Sequence, residues 1–208
     1  EYAASRGSIA HALADAVRAA NEFFYTTNAS LPPEARRIAG LTAAVLRDNE
    51  LFSAQAGPGL VCLERGNELR RYPDTSPWYM ADDAAVADWL ASRDFQTPGV
   101  VPVGIRRNYT PDLFHAWLVP GDVVVLSTRF LVHLLSNEEL GDTLANRHPD
   151  QIISSLEELA GASDLSIIVL GVSGENVAST GIPACEKPHS VSMNCLIHAS
   201  DLFCASDV

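Results

Sequence analysis

The stretch Leu118-Val-Pro-Gly-Asp-Val-Val-Val-Leu-Ser-Thr-Arg129 decides the fold. Pro120-Gly121-Asp122 has the chemistry of a β-turn, in which a short carboxylate bonds nearby backbone N–H groups. Val123 to Leu126 is a continuous apolar run, which reads as a central strand buried on both faces. Leu113 to Val119 reads as the strand before it. After it, Ser136 stands three residues before Glu139, a capping-box spacing that opens a helix near Asn137. Pro149 suits the first turn of another helix, whose apolar face is Ile152, Ile153, Leu156, Leu159 and Ala160 and whose stop is Gly161. Ser166 to Val172 is expected as a final buried strand.

Upstream, residues 5–25 carry a helical period: Ile9, Leu13, Ala16, Val17, Ala20 and Phe24 share one stripe. Leu31-Pro32-Pro33 breaks the chain. Strand-like runs follow at Thr42–Leu46, Leu51–Ala56, Leu60–Leu63 and Glu68–Tyr72. Turns at Arg47-Asp48-Asn49-Glu50 and around Gly66-Asn67 suggest an antiparallel meander. Asp82 is placed to cap a short helix over 83–92. Strands and helices do not alternate regularly, so the expected class is α+β, a sandwich rather than a doubly wound sheet.

The chain has 208 residues and a formal charge of −12. An acidic surface repels phosphate backbones and anionic lipid, so neither nucleic acid nor membrane is an expected partner. No apolar run reaches the ~18 residues of a membrane span, and no signal-peptide pattern opens the sequence. Four cysteines are too few for a disulfide scaffold. The expectation is a soluble cytoplasmic protein. Neither a nucleophile elbow nor a phosphate-binding glycine loop occurs.

The opening stretch resembles the core of the metal-dependent, PPM-type Ser/Thr protein phosphatases, which reads L-x-P-G-D, an apolar strand, then S-D-G or T-D-G. Leu135-Ser-Asn-Glu-Glu-Leu140 resembles the family's L-S-x-E-E-L, and Ala162-Ser-Asp-Leu-Ser-Ile-Ile-Val-Leu170 its terminal strand. Ala39-Gly-Leu-Thr-Ala-Ala-Val-Leu46 is similar to the G-T-T-A strand. Leu51-Phe-Ser-Ala-Gln-Ala-Gly57 is similar to the strand entering G-D-S or, in a bacterial branch, A-G-H. Tyr2-Ala-Ala-Ser5 with its helix, and Val101-Pro-Val-Gly104, complete seven motifs in the family's order. The resemblance covers roughly residues 1–172 and sets 173–208 apart as a Cys- and Ser-containing C-terminal extension. It implies an α-β-β-α sandwich of two mainly antiparallel sheets flanked by helices. The family's N-terminal strands have no counterpart in this chain.

The resemblance also implies a pair of Mn or Mg ions held by aspartates, which lower the pKa of a bound water and neutralise the phosphoryl group. Those aspartates are where the sequence departs. Thr128 stands at the S-D-G position, Ser163 at the terminal-strand position and Pro58 at the G-D-S position. Arg129 brings a positive charge to where a cation would sit. Neutral hydroxyls do not offset dehydration of a divalent ion as carboxylates do. Losing several kcal/mol of transition-state stabilisation costs on the order of a thousandfold in rate. The expectation is a non-catalytic pseudophosphatase domain that regulates or binds a protein partner, phosphorylated or not, with no catalytic residue, metal or cofactor. Asp164, Arg129 and Asp122 remain as cleft candidates. Two alternatives stay open: an active Mn- or Mg-dependent protein phosphatase, and a module that dimerises through unpaired sheet edges.

Two further patterns stand outside the motifs. Cys185, His189, Cys195 and His198 offer zinc-ligand chemistry with a short central gap, against free thiols in a tail. Arg36-Arg37, Arg70-Arg71 and Arg106-Arg107 are adjacent arginine pairs, suited to phosphate or carboxylate recognition or to solvated edges and turns.

Overall fold

A computed structural model describes residues 8–32, 35–79, 99–128, 130–145, 148–161, 165–173 and 194–204, the last stretch and Val132 without side chains. Helix α1 spans Ile9–Ala29, with Ser8 accepting from the His11 N–H at its start. Strands β1 (Arg37–Arg47), β2 (Glu50–Ala56), β3 (Leu60–Arg65) and β4 (Glu68–Tyr72) follow. Beyond them lie β5 (Asp112–Trp117) and β6 (Val123–Ser127), then α2 (Phe130–Leu134), α3 (Asn137–Leu144) and α4 (Pro149–Ala160). Strands β7 (Ile167–Gly171) and β8 (Asn194–Cys204) complete the order.

The strands make two antiparallel sheets of order β5-β2-β1-β8 and β4-β3-β6-β7. Three apolar clusters set the layers. Ile9, Leu13 and Val17 of α1 pack on Ala43, Val45 and Ala54 of the first sheet. Ala44 and Leu51 meet Val61, Leu63, Val124 and Leu126 between the sheets. Leu131, Leu140, Leu144, Ile152 and Leu156 of α2–α4 cover Leu60, Cys62 and Val125 on the far face. The result is the four-layer α+β sandwich expected, and β6 is buried along its whole length between β3 and β7.

Local chemistry explains the turns. Asp48 (φ 54°) sits in the two-residue turn closed by the Arg47–Glu50 pair. Gly66 and Asn67 (φ 57° and 69°) give the primed geometry that matches strand twist. Ser136 and Glu139 form the reciprocal capping box.

Three expectations are corrected. The four-strand meander is two hairpins, one in each sheet, because the chain crosses between sheets at Gly57-Pro58-Gly59. β1 approaches that corner so closely that a Cβ on Gly40 would collide with the Pro58 carbonyl. β7 is a half-exposed edge strand rather than a buried one, since among the described residues only β6 pairs with it. It is also not the final strand: Asn194–Cys204, within the stretch read as an extension, is β8, hydrogen-bonded along β1. The edge of β1, a reason to expect a dimer, is therefore paired within the chain. The expected helix over 83–92 lies outside the described residues.

Two buried asparagines of α1 tie down the loop after Val103. Asn28 donates to the Arg37 and Gly104 carbonyls (2.6 and 3.1 Å) and accepts from the Arg37 N–H (2.8 Å). Asn21 donates to the Arg106 carbonyl (2.7 Å) and accepts from the Gly104 N–H (3.0 Å). No helix among the described residues is long and apolar enough to cross a membrane.

Candidate functional site

Alternation along β1, β2 and β5 places Thr42, Ser53, Gln55 and Asp112 on the face that looks toward the second sheet, the same face as Ala44 and Leu51. Thr42 is paired with Gln55, and Gln55 with Asp112, so the three lie side by side at one end of the sheet. The Gly57–Gly59 corner closes over them. The Gln55 amide donates to the Gly59 carbonyl (2.6 Å), and the Thr42 hydroxyl lies against Gly59. Leu60 pairs with Ser127, which brings Thr128, the residue after β6, to the same end.

This end is polar. Thr42 Oγ1, Ser53 Oγ, Gln55 Oε1, Ser127 Oγ and Thr128 Oγ1 are buried and find no hydrogen-bond partner among the described residues. Thr128 is 1% exposed, and its carbonyl accepts from the Leu131 N–H at the start of α2. Pro58 lies in the corner itself.

Asp112 is the carboxylate that the sequence reading missed. It is half-buried, and that burial pushes its pKa up to about 6. Its carboxylate occupies the space a Cβ would take at Gly99. Beside it, the Tyr109 hydroxyl donates to the Val101 carbonyl, and burial pushes that phenol well up. The available signal was an acid opening an alternating strand, Asp112-Leu-Phe-His-Ala-Trp117.

Asp122, expected as a cleft candidate, is at the opposite end of β6. Six residue steps along the extended strand separate it from Thr128, roughly 20 Å. Its carboxylate takes Nε and Nη2 of Arg65 at 2.8 and 2.6 Å and the Val119 N–H at 2.8 Å. Burial pushes its pKa up, but the Arg65 and Val119 hydrogen bonds and the Arg65 charge outweigh that and hold it below the usual carboxylate range. It is a turn anchor because Pro120-Gly121 folds the chain back onto it. Arg129, Ser163, Asp164, Cys185 and His189 lie outside the described residues. Cys195 and His198 occupy register positions opposite Val45 and Thr42, an odd spacing that assigns them to opposite faces of the sheet.

The described residues do not fit a pair of divalent ions. Mn and Mg take hard, mostly anionic oxygens, and this end offers one carboxylate among neutral hydroxyls and an amide. Among the described residues no cluster of three or more His, Cys, Asp or Glu side chains occurs.

No protein-family model and no curated protein matches the sequence. Solved structures do. The Mycobacterium tuberculosis serine/threonine phosphatase PstP/Ppp is 20% identical, with 80% of this chain and 74% of that chain covered and a TM-score of 0.61. The catalytic domain of PstP in complex with two manganese ions is 21% identical, covering 79% and 72% at a TM-score of 0.59. PppA, a key regulatory component of T6SS in Pseudomonas aeruginosa, is 19% identical, covering 81% and 74% at a TM-score of 0.57. With its two antiparallel sheets between helical layers, this chain has the fold of the bacterial PPM-type Ser/Thr phosphatases.

Proposed function

We propose that this chain is a pseudophosphatase, a phosphatase-fold domain that works by binding a protein partner in the cytoplasm rather than by hydrolysing phosphate. The observation that carries the reading is Thr128. It lies at the end of the central strand, where the resemblance requires a metal-binding aspartate, and it presents a buried neutral hydroxyl with no partner among the described residues. Thr42, Gln55 and Ser53 are neutral as well, so beside Asp112 the described residues supply no anionic ligand set for the water activation and charge neutralisation that a metal pair provides. Ser163, at the terminal-strand aspartate position, points the same way, whereas Pro58 stands where the bacterial A-G-H branch also lacks the aspartate. Arg129 and Asp164 remain candidates for a residual polar contact in the cleft. The neighbour named a regulatory component supports a role exercised through other proteins.

The test is turnover of a small aryl phosphate with excess Mn, beside the same sample in EDTA. Folded protein is expected to give no turnover above buffer in either. Turnover abolished by EDTA overturns the reading and establishes the active Mn- or Mg-dependent phosphatase. Asp112→Asn and Asp164→Asn then show which carboxylate the metal uses.

A further inference from the structure

The bond from the Leu118 N–H to the Asn49 carbonyl (2.7 Å) fixes which residues of β5 bond β2. Bonded pairs alternate along an antiparallel ladder, so Asp112, Phe114 and Ala116 turn their backbone groups toward Gln55, Ser53 and Leu51. Leu113, His115 and Trp117 turn theirs outward, and among the described residues β2 is the one strand that pairs with β5. The outward row is bounded at both ends. Pro111 has no N–H, and the Val119 N–H is donated to the Asp122 carboxylate. The Trp117 carbonyl accepts from Arg65 and keeps a second lone pair.

The side chains of the same three residues share one face of the sheet and are exposed, Leu113 at 45% and Trp117 at 63%. They are also pre-ordered. The His115 ring stacks on Phe52 (centroids 4.6 Å apart) and meets Trp117 edge-on at 5.8 Å. Glu50, the acid on that face, is held by His115 (3.3 Å) and Arg47 (3.7 Å), so a cation stands beside it. Residues 113–117 contain no Lys, Arg, Pro or Gly, and their register with β2 is unbroken, so the devices that guard natural edges are missing from this one. The other edges with described side chains differ. β4 carries Glu68, Arg70 and Arg71. β7 already packs Ile167, Ile168, Val169 and Leu170 into the clusters on either side of its sheet.

We propose that β5 pairs with β5 of a second copy of this chain, antiparallel about a two-fold axis at His115, joining two four-stranded sheets into one of eight. The strand is complementary to itself in this register. His115 exchanges both backbone bonds with its counterpart, and Leu113 of each copy does so with Trp117 of the other. The same pairing lays each exposed Leu113 side chain beside the other copy's Trp117 ring. Centring the axis on Leu113 or Trp117 instead brings in Pro111 or the engaged Val119, so the His115 register is the one that uses the whole row. One six-residue strand per copy is a small contact beside the ~800 Å² per partner of a standard interface, so the dimer is expected to dissociate with a Kd on the order of 10 µM. The proposal stands apart from the pseudophosphatase reading, since association and turnover are measured separately.

The experiment is sedimentation equilibrium of the full chain in reducing buffer, from ~1 to ~200 µM, which brackets the expected Kd. A monomer–dimer equilibrium is expected. His115→Pro removes an outward N–H, a change that edge strands tolerate, and Leu113→Lys puts a charge at an exposed position. Each variant, with folding checked by its thermal transition, is expected to weaken dimerisation tenfold or more, and either one carries the test where the other does not fold. Arg70→Gln, on β4 of the other sheet, is expected to dimerise as the parent does. Cysteine cross-linking reads the register. Under mild oxidation His115→Cys is expected to give a disulfide dimer well above the level of the parent, which has four native cysteines. Leu113→Cys is expected to stay at the parent's level, because its two copies stand four residues apart along the strand, about 13 Å, beyond the ~7 Å that a disulfide spans. A monomer at ~200 µM overturns the proposal. So do folded edge variants that dimerise as the parent does, or cross-linking of Leu113→Cys equal to that of His115→Cys, both of which assign the contact to another surface. None of these outcomes touches the turnover test, and EDTA-sensitive turnover removes the pseudophosphatase reading whatever the oligomeric state.

Discussion

Asp122→Ala removes the anchor of the turn that feeds the central strand. In the parent, Asp122 is 1% exposed and accepts two charge-assisted bonds from Arg65, at 2.8 and 2.6 Å, and one from the Val119 N–H. Breaking a fully buried ion pair costs about 3–5 kcal/mol. Here the Arg65 side chain is 44% exposed, so water stabilises the orphaned guanidinium and the charge contribution shrinks toward that of a surface pair. Two screened charge-assisted bonds and one lost backbone cap total about 2–3 kcal/mol. For a chain of this length that lowers the Tm by roughly 5–10 °C. Urea unfolding followed by tryptophan fluorescence reads the same change as a shift in midpoint at constant slope. Because the folded-state pKa of Asp122 is depressed, its contribution is fully present above the ordinary carboxylate pKa. It is lost as pH falls through the folded value. The gap between parent and variant therefore closes only in acid below the ordinary carboxylate range. An unchanged midpoint at neutral pH, or a loss of ligand or metal affinity without a change in stability, refutes the assignment of Asp122 as a structural anchor.

Asp112 behaves in the opposite sense: its folded pKa is raised to about 6, so its own contribution to stability is most favourable below ~3.9 and declines as pH rises to about 6. Asp112→Asn is expected to remove that decline from a plot of Tm against pH and to stabilise the protein at pH 7. Gly40→Ala drives a methyl into the Pro58 carbonyl and is expected to cost about 1–3 kcal/mol in urea unfolding, the corner being backbone on both sides. A chain ended after Ser173 loses β8, the outer of the two strands paired with β1, and light scattering is expected to show association, through the freed edge, that the full chain lacks.

Features written in neighbouring residues were legible. The Ser136–Glu139 capping box, Pro149 at a helix start, the positive-φ turns and the apolar run of β6 are each set by chemistry within a few positions. The resemblance supplied what periodicity alone could not, the pairing of two sheets between helices. Features that depend on distant partners were not legible. The Gly57-Pro58-Gly59 corner looks like any hairpin turn until β3 is seen to pair with β6 instead of β2. β8 is hidden by a composition rich in Ser, Ala and Asn, and it is a strand because β1 offers it a row of backbone groups. At the site, Thr128 and Pro58 were found by motif and prove to lie at one end of the sandwich. Asp122 was named for its residue type and lies at the other. Asp112 escaped because it belongs to no motif, and only the register with Gln55 brings it to the cleft.

The pairing of β8 with β1 also bears on the order in which the molecule is made. Leu46 and Asn194 are register partners, yet about 150 residues of chain separate them, so this contact has a high loop-closure cost and a large sequence separation. At ~5–20 residues per second, β1 leaves the ribosome on the order of ten seconds or more before its outer neighbour exists. During that interval the α1–β1–β2 unit carries an open edge. A nascent chain stalled before residue 194 is therefore the species to which chaperones, or other nascent chains, are expected to bind.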